Sequence, residues 1–327
     1  MDTIERRALY NLLRMNWLKD STLQVEEWQV EDYQSLRVNE LFERLSFFNI
    51  YLDKASFVSY AEDFDSPEDL SDAFTADKNL PPVKEDQIYL LIFELWRRLM
   101  VEKPSLSIVC HELDNQIQVY DQGNLEQPEK LQSALDLFLQ ALSKNTDQGI
   151  PPDQAISLIA SYCANDIETF LFDYLSEQID QGNELYASEM IEEFKPYLQK
   201  NRWFKLLQLR VCEHMHSKIA QKIAEEILED YLTPPDLEFN FEFLSILAEK
   251  EDFPLYAYII KETYPLLKIE MDFKDLLAIS MDFFRLIDKN KEESLLHKLF
   301  EKRSEIPQDQ PLSSNDPDLE NFIKIFS

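Results

Sequence analysis

The chain has 327 residues, 45% of them hydrophobic and 12% aromatic, and 63 acidic against 32 basic side chains give a formal net charge of -31. Such a length suits two or more packed units or one extended array, and the apolar content is enough for a core despite the charge. Affinity for nucleic acid or an anionic membrane comes largely from cations that neutralise phosphates, so a polyanion meets a penalty approaching either and direct nucleic-acid binding is not expected, whereas the same field favours encounter with a basic partner.

Glycine is the most informative residue type, because the chain holds only three, far below the usual share of about 7%. Two-residue hairpins need Asn-Gly, Asp-Gly or Gly-Gly, and none of these dipeptides occurs. Phosphate-cradling loops need several clustered glycines so that the backbone amides can approach the ligand, and no such cluster exists. The sequence therefore predicts an all-α protein without a Rossmann, P-loop or kinase glycine motif.

The N-terminal stretch carries Asp2, Glu5, Arg6 and Arg7 ahead of a charged amphipathic run, unlike a secretory signal. Residues 61–87 hold nine acidic residues against Lys78 and Lys84 and read as a loop, with a helix start at Ser66-Pro67-Glu68-Asp69. The longest uncharged apolar run, Ile88 to Phe93, stops at Glu94, too short for a membrane span. Helical spacing follows in Leu131, Leu135, Phe138, Leu139 and Leu142, and in Ile167, Phe170, Leu171, Tyr174 and Leu175. It recurs in Ile219, Ala220, Ile223, Ala224, Ile227, Leu228 and Tyr231, with Lys222, Glu225, Glu226 and Glu229 opposite. Trp203, Leu206 and Leu207 imitate the opening of a tetratricopeptide unit, but Leu207 fills its glycine slot and Ala220 falls one position late. Residues 304–318 are rich in Pro, Ser, Asp and Gln and read as a flexible tether to a short helix near Leu319 to Phe326.

Punctuation agrees with periodicity. All three glycines stand in Asp-Gln-Gly tripeptides ending at Gly123, Gly149 and Gly182, the position of a left-handed helix C-cap. Pro81-Pro82, Pro151-Pro152 and Pro234-Pro235 each precede a new periodic segment, where a missing N–H at the first helical turn costs nothing. Cutting there gives units at 1–80, 81–150, 151–233 and 234–327. The expected architecture is an elongated array of about 14–16 antiparallel helices, α-solenoid-like or a tandem of helical bundles.

Chemistry-bearing residues are few. His111-Glu112 opens a helical zinc-protease pattern, but Asn115 stands where the second histidine belongs. Cys212 and His216 share a helix face and are the candidate metal ligands, although a structural site needs four and no cofactor is expected. Cys110, Cys163 and Cys212 are odd in number and far apart, the usage of a reducing compartment, so a cytoplasmic location is expected. Aromatics at Tyr256, Tyr258, Tyr264, Phe283 and Phe284 suit helix packing. Trp17, Trp28, Trp96 and Trp203 are the candidates for a partner-binding groove.

The expected function is a non-enzymatic interaction scaffold or adaptor: an acidic chaperone, gatekeeper or inhibitor holding a basic or amphipathic protein segment. Its rivals are an all-α enzyme with a carboxylate and histidine site between helices, and a DNA-mimicking polyanion. With the surface charge uncompensated, the melting temperature should rise between low salt and about 0.15 M, where the screening length is about 8 Å. A flat response in differential scanning fluorimetry would show that the charges are locally paired.

Overall fold

The computed structural model describes residues 5–123, 128–212, 217–230, 235–313 and 316–326. In chain order the first helices are α1 (Arg6–Lys19), α2 (Glu27–Val30), α3 (Val38–Ser46), α4 (Lys54–Ala61), α5 (Pro67–Thr75) and α6 (Pro82–Leu99). Next come α7 (Leu106–Asp121), α8 (Pro128–Asp147), α9 (Pro152–Ala160), α10 (Ile167–Asp180), α11 (Glu184–Phe194) and α12 (Arg202–Arg210). The last are α13 (Lys218–Asp230), α14 (Leu237–Glu249), α15 (Phe253–Thr263), α16 (Glu270–Leu286), α17 (Asn290–Arg303) and α18 (Pro317–Ile325). Single 3-10 turns at Tyr33–Ser35 and Tyr264–Leu266 complete the set, and no strand occurs among the described residues. The all-α expectation holds. Among the described residues the helices number 18 rather than 14–16, in part because α2 has only four residues and α5 lies in a stretch read as loop.

Neighbouring helices pack in pairs, as in α5 with α6, α7 with α8, and α16 with α17. The chain forms two compact units, residues 1–171 and 172–327, with the boundary inside α10. One apolar cluster runs from Tyr10 to Ile108, across Pro81-Pro82. Pro82 and Pro152 open α6 and α9 within the first unit.

Local chemistry explains where helices begin and end. Side-chain oxygens of Asp53, Ser66, Asn201, Asp252 and Asp316 accept first-turn amides of α4, α5, α12, α15 and α18, satisfying donors that a helix leaves open. Gly123, Gly149 and Gly182 take φ values of 70°, 95° and 82°, the left-handed caps read from the sequence. Four further left-handed positions use Asn49, Asn79, Glu251 and Asp288, so scarce glycine did not remove every such turn. Within the acidic stretch 61–87, α5 forms because Leu70 is buried and Phe74 packs edge-on against Tyr60 at 5.6 Å. Glu68 and Asp69 lie in its first turn, where the helix dipole favours them.

In the first unit α6 is the central element. All nine residues from Ile88 to Trp96 are buried, and α6 meets α3, α4, α5 and the Tyr33–Ser35 turn. An apolar run of this kind is a core helix; among the described residues no helix is long and apolar enough to cross a membrane. The one charge in that run, Glu94, is 1% exposed and bonds Arg97 and Arg98. Arg98 in turn donates to the carbonyls of Tyr33, Gln34 and Leu36 at 2.7–3.0 Å.

The second unit is held by aromatic packing. Tyr256 stacks on Phe283 with ring centres 3.8 Å apart, and Phe284, Phe322 and Phe326 close around them. Tyr256, Phe283 and Phe284 are thus core, whereas Tyr258 and Tyr264 face solvent. The segment expected to be flexible is pinned over residues 304–313. Glu270 and Met271 amides donate to Gln310 and Gln308 carbonyls, Leu312 N–H reaches Lys268, and Lys274 reaches Ser304 and Ile306. Beneath it Arg303 is bonded to Glu270, Asp316 and Asp318, with Lys302 also on Asp318. Substituting Arg303→Met strands Glu270, which is 1% exposed. Urea unfolding should show a loss of about 3–5 kcal/mol, and adding Glu270→Met should restore much of it.

Candidate functional site

The four tryptophans part company in the structure. Trp96 is fully buried, its indole N–H donating to the Lys103 carbonyl at 3.0 Å, so it is a core residue and not a groove residue. Trp203 is wedged between Phe172 and Phe239, ring centres 5.3 and 5.2 Å away, again as packing. Trp17 is partly exposed on α1. Trp28, tilted on Tyr10 at 5.6 Å, lines a groove.

Cys212 is half-buried and its thiol donates to the Gln208 carbonyl at 3.3 Å, while His216 lies outside the described residues. Among the described residues no group of three or more His, Cys, Asp or Glu is placed to hold a metal ion. Cys110 and Cys163 are buried and both point at the Ile159 carbonyl, at 3.5 and 3.9 Å. The hydrogen bond between the two thiols, with burial, pushes Cys163 well above its ordinary value, the opposite of a reactive thiolate.

His111 is 1% exposed and meets Asn115 one turn on, as the spacing requires, with the two side chains 3.1 Å apart. Gln34 Nε2 lies 3.0 Å from the same ring nitrogen, Nε2. On the other side of the ring Nδ1 lies 3.0 Å from Asn11 Oδ1. Arg7 Nε lies 3.3 Å from Nδ1 and Phe93 meets the ring edge-on. Burial first, then the charges of Arg7, Arg97 and Arg14, hold the imidazole pKa well below the ordinary range. One turn further, Asp114 accepts from Asn11, from the Ala164 and Asn165 amides, and from the Asn165 side chain. This network ties α1 and α7 to the turn after α9.

The first unit also holds a cleft of about 610 Å³. One wall comes from the start of α5, with Asp65, Glu68 and Asp69, and Glu5 joins from the segment before α1. The start of α7 supplies Ser105, Ser107, Leu106 and Val109; late α8 supplies Leu137 and Lys144; Tyr162 follows α9. Four carboxylates thus face one lining cation, with apolar surface between them. Glu68 accepts from the Tyr89 hydroxyl at 2.6 Å and from Ser107 at 3.1 Å, so its position is fixed. Burial, then the fields of Glu5 and Glu68, raise the Tyr162 hydroxyl pKa. The arrangement can receive cationic groups on a partly apolar bed. Sequence reading missed it because its residues are spread from Glu5 to Tyr162 and each has a local explanation, Glu68 and Asp69 as a helix start.

No protein-family model, curated protein or solved structure matches this chain.

The unfolded chain binds a proton at His111 before the folded chain does, because the folded pKa is depressed. Stability from neutral His111 is therefore full above about pH 6.5 and shrinks as pH falls from there toward the lower folded value. In urea melts, the stability gap between the unmodified chain and His111→Gln should narrow below that pH; a gap constant with pH would contradict the assignment.

Proposed function

We propose that the chain is a non-enzymatic interaction adaptor, an acidic chaperone, gatekeeper or inhibitor that holds a basic or amphipathic segment of a partner protein. The observation that carries this reading is the cleft of about 610 Å³ in which Glu5, Asp65, Glu68 and Asp69 outnumber Lys144, beside Leu106, Val109 and Leu137. Lysine or arginine side chains of a partner would meet the carboxylates while their neighbours cover the apolar bed. Exposed ion pairs each contribute little, so a cluster of them mainly raises the encounter rate and selects the sign of the partner. The net charge of -31 acts over a longer range in the same direction.

A fluorescein-labelled synthetic helix of lysine and leucine serves as the probe, followed by fluorescence anisotropy with the full chain. Binding should weaken about tenfold or more between roughly 0.05 and 0.5 M salt. Asp65→Asn with Asp69→Asn, both exposed positions, should weaken it several-fold at low salt only. Binding indifferent to salt and to both substitutions would reject the cleft as the site.

A further inference from the structure

A second opening of the first unit shares no lining residue with the cleft. It is a groove of about 290 Å³ formed by Trp28, Tyr33, Phe47, Phe48 and Leu91, with Glu31 and Arg44 on its border. Its walls are fixed before anything binds. The Tyr33 hydroxyl donates to the Trp28 carbonyl at 3.0 Å, Arg44 bonds Glu31 at 2.7 Å, and Arg98 holds the carbonyls of Tyr33, Gln34 and Leu36.

Phe47 is the feature that packing does not explain. At the end of α3 the chain turns through Asn49 in the left-handed region, and Phe48 packs against the core while Phe47 stays out. At 79% exposed, Phe47 is the most exposed large hydrophobic residue among those described, with Tyr51 at 76% close behind in the sequence. A rigid, partly walled aromatic surface of this kind is the composition of a binding hot spot, since truncating such residues costs the most at interfaces.

Charge selects the occupant. The elements that wall the groove also carry exposed carboxylates at Glu26, Glu27, Glu40 and Glu43, and Arg44 is already paired with Glu31. A second copy of the chain would bring another net charge of -31 to this surface, which opposes self-association. We propose that the groove docks the apolar face of an amphipathic helix from a basic partner protein, one large aromatic or branched side chain covering Phe47 and flanking lysines or arginines meeting the surrounding carboxylates. The inference rests on the partner-binding reading above but uses a different surface, so the two fail separately.

The same lysine and leucine helix is titrated against the unmodified chain, Phe47→Ala, Phe47→Leu and the cleft double variant Asp65→Asn with Asp69→Asn. Phe47→Ala should weaken binding about tenfold, a loss that persists at high salt, and Phe47→Leu should recover most of it. Unchanged thermal melts of the Phe47 variants, expected of so exposed a residue, tie the loss to contact. Binding by Phe47→Ala within about twofold of the unmodified chain overturns the groove; if the cleft variant alone fails, the cleft reading stands without it. A helix that binds none of the proteins sinks both. Sedimentation showing a dimer that Phe47→Asp dissolves assigns the groove to a second copy and also overturns the proposal.

Discussion

One buried carboxylate organises the first unit. Glu94 lies in the middle of an otherwise apolar helix, and such a charge is tolerated only where cations and hydrogen bonds offset its lost hydration. Arg97 and Arg98 from its own next turn do so, and each is then committed elsewhere: Arg97 to Glu112 on α7, Arg98 to three carbonyls of the 33–36 turn. The first link steadies the helix that walls the acidic cleft, and the second fixes the backbone beneath the aromatic groove. Both candidate recognition surfaces therefore depend on the satisfaction of a single group that neither of them exposes.

The same demand for internal cations shapes the exterior. Arg7 lies beside His111 and over the Phe93 ring, Arg44 closes on Glu31, Arg210 bridges Asp180 and Glu249, and Arg303 gathers three carboxylates. Basic residues are the minority, 32 against 63, and many of the arginines among them are spent on tying elements together. Carboxylates remain on the surface in excess. Pairing removes acids and bases alike, so the excess set by composition, 63 acidic against 32 basic residues, is left outside these ties.

Much of the architecture was legible because helix signals are local. The three Asp-Gln-Gly caps, the proline starts at Pro82 and Pro152, and the Ser66 cap all occupy the positions their chemistry implies. What composition concealed was tertiary rescue. Residues 61–87 look like an acidic loop, yet burial of Leu70 and contact of Phe74 with Tyr60 hold a helix there. Residues 304–313 look like a tether, yet α16 pins them through backbone and Lys274 hydrogen bonds. The tryptophans show the same limit: identical side chains at 28 and 96 gave equal expectations, and only packing sends one to a groove and the other to the core. The cleft was invisible in sequence because it is assembled from five separate segments, each locally unremarkable.

Both proposed recognition surfaces lie within residues 5–171. Hydrogen exchange with mass spectrometry on the full chain, with and without a saturating lysine and leucine helix, tests that placement most directly. Slowed exchange should concentrate in peptides covering residues 26–48, 65–69 and 105–109, leaving residues 172–326 unchanged. Slowing confined to the second unit would contradict it.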